Sequence, residues 1–74
     1  MKNIKMKVDL HGVKHEDVPI MLAEHLFWQK KENPEIITGN SEKMRQIVIE
    51  WLEKYDYNYV IETHNMGCIK VYNV

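Results

Sequence analysis

Little in this chain is there to staple, break or anchor it. A single cysteine, Cys68, excludes an intramolecular disulfide. With no zinc-ligand spacing either, the composition fits a reducing, cytoplasmic setting. Two prolines and three glycines over 74 residues leave no linker, repeat or low-complexity stretch. No apolar run approaches the ~18 residues of a transmembrane helix, so no membrane contact is expected. The N-terminal Met1-Lys2-Asn3-Ile4-Lys5 lacks the apolar stretch that would follow it in a signal peptide. Neither sign of charge dominates: 10 Lys and Arg against 11 Asp and Glu give a net charge of −1. That is not the strongly basic footprint of a nucleic-acid binder, so any such contact must come from a local patch. The length allows one domain, residues 1–74. A chain this small buries only ~60% of its unfolded surface, which excludes a deep enclosed cavity and favours a site on an open surface.

What is present is patterned. Met6, Val8 and Leu10 alternate with Lys5, Lys7 and Asp9, the period of two of a half-buried strand over 5–10. Val18, Met21, Leu22, His25, Leu26 and Gln29 follow at helical spacing and predict a helix over 15–31. Glu16 and Asp17 suit its first turn, Pro19 is tolerated only near its start, and Asn33-Pro34 stops it. A short strand over 35–38 ends at Gly39-Asn40. A second helix over 41–55, capped by Asn40 or Ser41, carries the stripe Met44, Ile47, Val48, Trp51, Leu52, Tyr55. Strands over 59–63 and 68–72 flank Asn65-Met66-Gly67, read as a tight turn with Gly67 at a positive φ. The order βαβαββ predicts an α/β two-layer sandwich: a four-stranded mixed sheet with both helices on one face and the other face open.

Asp9-Leu10-His11-Gly12 is where chemistry is expected. Residues two apart on a strand point the same way, so Asp9 and His11 can act on one ligand, and Gly12 permits a tight turn. In open α/β sheets ligands gather beyond the carboxyl ends of the strands. Parallel pairing of the first two strands brings His11-Gly12 and Thr38-Gly39-Asn40-Ser41 to one edge. The second loop feeds a helix N-terminus, whose free N–H groups suit phosphate. Lys43 and Arg45 can add phosphate charge, Arg45 with a bidentate fork. Lys5, Lys7 and Lys70 offer a modest basic track, and Tyr72 can stack a base if it faces the open side.

The run Val8-Asp9-Leu10-His11-Gly12, an amphipathic helix, Ile36-Ile37-Thr38-Gly39, a helix ending in Trp51-Leu52 and a hairpin with Gly67 together resemble the Smr (small MutS-related) domain. The resemblance covers about residues 6–74. The second family motif, Thr-Gly-x-Gly, is matched only at Thr38-Gly39; Asn40-Ser41-Glu42 leads straight into the helix. The resemblance implies a fold similar to the C-terminal domain of bacterial translation initiation factor three. It also implies nucleic-acid binding with endonuclease activity, cleaving RNA or nicking DNA. Asp9 and His11 then correspond to the residues implicated in activity, and Thr38 and Gly39 to a backbone-contacting loop. In that reading His11 is general acid or base and Asp9 fixes its tautomer.

Two other classes stay open: a binding module without catalysis, and a protein-interaction adaptor. Phe27 and Trp28 cannot both face the sheet, so one offers a patch for a protein partner or a weak homodimer. His25 lies on the apolar stripe and reads as packed, and His15 as topping the first helix. His11 and His64 meet only if their strands are neighbours. No spacing resembles a zinc site, so neither metal nor cofactor is expected.

Overall fold

The computed structural model of the protein describes residues 7–28, 34–62 and 65–72, with the side chains of Trp28, Glu62, Asn65 and Met66 excepted. The elements are β1 (Lys7–Asp9), α1 (Val18–Ala23), β2 (Glu35–Ile37), α2 (Glu42–Lys54), β3 (Asn58–Glu62) and β4 (Asn65–Tyr72). Lys5, Met6, Gln29, Lys31, Asn33, Thr63, His64 and the side chain of Trp28, on which some of the expectations above fall, lie outside the described residues. The sheet order is β1-β2-β4-β3. β1 and β2 run parallel, while β4 is antiparallel to both β2 and β3.

One row of the register explains the layering. Val8 pairs with Ile36, Ile36 with Ile69, and Ile69 with Ile61. Val8, Ile36 and Ile69 are buried in one cluster with Val18 and Leu22 of α1 and Met44, Val48, Trp51 and Leu52 of α2. Strand side chains alternate, so both helices cover the same face. Each buried aliphatic side chain contributes about 1.5–3 kcal/mol, and together they are the main source of cohesion. The neighbouring row, Lys7, Glu35, Lys70 and Val60, lies on the opposite face. The expected basic track is broken there, because Glu35 stands between the two lysines. Tyr72 is exposed on this face. Cys68 is on it too, yet buried, with its Sγ 3.9 Å from Glu35 Oε1.

The first helix departs from the uninterrupted helix predicted. It opens as a 3-10 turn (His15–Asp17), continues as six residues of α-helix and widens into a π turn (Glu24–Trp28). Pro19, with no N–H, sits within the first two α-helical positions, where intrahelical donors are not required. Phe27, inside the π turn, joins an aromatic cluster, its ring centroid 5.2 Å from Trp51 and 5.1 Å, edge on, from Tyr55. His25 is packed as expected, its Nδ1 buried with no hydrogen-bond partner among the described residues.

Gly67 is also placed differently. It lies inside β4, and the glycines with positive φ are Gly12 and Gly39. α2 is closed at both ends. Ser41 Oγ accepts from the Met44 N–H at 3.1 Å. At the other end Asp56, at φ 63°, turns the chain out, with Tyr57 N–H donating to Leu52 and Asp56 N–H to Glu53. This is the paired bonding of a Schellman motif, with aspartate in the position glycine usually takes.

Candidate functional site

Each residue of Asp9-Leu10-His11-Gly12 has a separate job in shaping the turn that ends β1. Leu10 is fully buried, and its N–H extends the parallel ladder to the Ile37 carbonyl at 2.8 Å. Val13 N–H returns to the Leu10 carbonyl at 3.0 Å, closing a four-residue turn with Gly12 third, at φ 83°. A positive φ at that position is what a type II turn demands, and glycine meets it without steric cost. Asp9 Oδ1 accepts the backbone N–H of His11 at 3.0 Å. This is an Asx turn, so the carboxylate acts on the main chain of His11. The tautomer-fixing bond from Asp9 to the imidazole, expected from the sequence, is replaced by this backbone bond. His11 itself is exposed.

The loop after β2 is held from behind by β4. The Gly67 carbonyl accepts from Thr38 N–H at 2.7 Å and from Gly39 N–H at 3.3 Å. A Cβ on Gly67 would sit 2.8 Å from the Gly39 carbonyl oxygen, closer than real Cβ atoms come. A Cβ on Gly39 would in turn sit 3.3 Å from His11 Cδ2. Gly67, Gly39 and the His11 ring are therefore stacked in sequence, and the two missing side chains let the three strands' ends converge. Thr38 is buried, and its hydroxyl donates to the Gly39 carbonyl at 3.2 Å.

His11, Gly12, His15, Asn40 and Ser41 line a cleft of about 400 Å³ floored by Leu10, Thr38 and Met44. The predicted convergence of the two loops is thus observed. The predicted residues divide by role, however. His11, Gly12 and Asn40 present exposed groups, while Thr38 and Ser41 also shape the loop and cap α2. Lys43 and Arg45 lie elsewhere, along the outer side of α2 in a separate depression with Gln46 and Ile49.

His15 is the residue that sequence reasoning placed outside the site. It follows His11 by four positions, and the turn at Gly12 folds it back onto the same cleft. The glycine between the two histidines was the available signal. Among the described residues no group of three His, Cys, Asp or Glu side chains is arranged to hold a metal ion. No helix is long and apolar enough to cross a membrane among those residues. Comparison with protein-family models, curated proteins and solved structures finds no match to this chain.

Proposed function

We propose that the protein is an Smr-like nucleic-acid-binding domain that receives a phosphodiester backbone at the His11 corner. The observation that carries this reading is the meeting of two loops at one sheet edge. The turn after β1 presents His11, and the loop after β2 presents Asn40 and the capped start of α2, across one open cleft. A helix start offers N–H groups and a favourable dipole to an anion. An open cleft of this size suits a chain-like substrate whose backbone passes across it. The net charge of −1 fits a few local phosphate contacts better than a wide electrostatic footprint.

Phosphodiester cleavage is the second reading, and the shared cleft of His11 and His15 favours it. Cleavage needs a proton removed from the attacking oxygen and one supplied to the leaving oxygen. Two imidazoles at one site can divide those tasks. Asp9 then acts as a positioning residue through the His11 main chain.

Fluorescence anisotropy with short single-stranded RNA and DNA at low salt, with gels for product, tests both. Binding by the wild type, weakened in His11→Ala, is the expected result; no binding of either oligonucleotide overturns the proposal. If the domain also cleaves, His11→Ala should lower the rate roughly a hundredfold or more, the usual scale for losing a general acid or base. Asp9→Asn keeps an Asx-turn acceptor and should retain more activity than Asp9→Ala. Cleavage that persists in His11→Ala removes the catalytic assignment and leaves binding standing.

A further inference from the structure

Beside the His11 cleft lies a second depression of about 490 Å³, walled by Gly12, Val13, Lys14, Asp17, Ile20 and Met21. Gly12 and Val13 belong to both, so the two are continuous around one turn of chain. Ile20 is 67% exposed, the most exposed large hydrophobic among the described residues. The helix stripe explains why: Val18 and Leu22 point into the core, which leaves the residue between them facing out. Val13 and Met21 are packed against the core and form a fixed floor. Over Gly12 the space is open, since a Cβ built there would meet nothing within 4 Å.

An apolar floor with a charged rim, continuous with an anion-facing corner, has the character of a nucleobase seat. We propose that this depression binds the base flanking the phosphate held at the His11 corner, an inference that rests on the function proposed above. The flat face of the base covers Ile20 and Met21. The Lys14 ammonium stands on the rim where the next phosphate leaves. The Asp17 carboxylate supplies an acceptor for ring or exocyclic N–H groups. A protein partner is disfavoured by size: six residues are far short of the ~20–30 a side that a standard protein interface engages. The depression is also built on chain continuous with the His11 turn, so a base seated there fixes the register of the backbone over the imidazole.

The test compares two single-stranded oligonucleotides of equal length, one normal and one with every base replaced by an abasic residue. Binding is read by competition against a labelled normal strand, with wild type and Ile20→Ser. Ile20 is exposed, so Ile20→Ser should leave the thermal unfolding curve near that of the wild type. The wild type should prefer the normal strand by about fivefold or more, the order expected from covering one exposed aliphatic side chain. Ile20→Ser should remove most of that preference while binding the abasic strand as the wild type does. Equal binding of the two strands by the wild type overturns the base seat and leaves the backbone-binding reading intact. So does an Ile20→Ser protein that keeps the preference, or one that loses affinity for both strands alike. Failure of the wild type to bind either strand overturns the proposed function and this inference with it.

Discussion

At the scale of single residues, the glycines carry more of the site than its polar groups do. Gly67 is the clearest case. A glycine inside a strand is ordinarily a weak point, and replacing it with alanine ordinarily gains about 0.5–1 kcal/mol. Here a methyl group would enter the Gly39 carbonyl at 2.8 Å. The sign should therefore reverse. Gly67→Ala is expected to destabilise the domain by about 1–3 kcal/mol, the range for overpacking a fitted contact. Because Gly39 backs the His11 ring, the displacement should reach the imidazole. The Thr38 and Gly39 amide resonances and the His11 ring resonances should shift together, with His25 as an unmoved internal control. A Gly67→Ala protein as stable as the wild type, with unshifted His11 resonances, would refute the stacking argument. The same close packing accounts for a reading that failed. From sequence, Gly67 beside Asn65 and Met66 looks like turn chemistry, because the demand on it comes from Gly39, 28 positions earlier in the chain.

At the scale of elements, what could be read in advance was whatever depends on neighbours in sequence. The alternation through Val8 and Leu10, the stripe through Met44, Val48, Trp51 and Leu52, and the cap at Ser41 are local patterns, and each holds. From them came the element order, the sheet with helices on one face, and the meeting of the two loops. Three readings came out differently. The first helix opens as a 3-10 turn and widens into a π turn where Phe27 meets the aromatic cluster. Lys43 and Arg45 line a depression along α2 separate from the His11 cleft. Asp9 bonds to a main-chain N–H because the turn at Gly12 brings that group within reach. The Ser41 cap gives an element-scale prediction that separates folding from binding. Ser41→Ala should cost about 1 kcal/mol by removing the acceptor for Met44 N–H. Asn is an equally good cap, so Ser41→Asn should unfold near the wild-type temperature. If the hydroxyl only caps α2, Ser41→Asn also binds oligonucleotide as the wild type does. Weakened binding at unchanged stability would show that the hydroxyl itself meets the ligand.

At the scale of the whole molecule, 74 residues leave a narrow margin, so single ties between elements are measurable. One tie joins the last turn of α2 to the edge strand β3: the Tyr59 hydroxyl donates to Glu53 Oε2 at 2.7 Å. This bond to the carboxylate, with smaller contributions from burial and from the Glu53 charge, holds the Tyr59 pKa above its ordinary value. Burial alone raises that of Tyr57. Both shifts have the same consequence. A tyrosine in the unfolded chain ionises near pH 10, while in the folded protein it keeps its proton to higher pH. Above about pH 10 the unfolded state therefore binds fewer protons than the folded one, and stability falls as pH rises. The stabilisation is fully present below that pH and is lost as pH climbs through the raised values. Tyr59→Phe should lower stability at neutral pH modestly, on the order of 0.5 kcal/mol for an exposed hydrogen bond. It should also flatten the alkaline decline, because one of the two raised groups is gone. Urea unfolding followed from pH 7 to pH 11 measures both effects. A wild-type curve with no decline above pH 10, or a Tyr59→Phe curve that falls as steeply as the wild type, would show that the link between α2 and β3 does not act through the tyrosine proton.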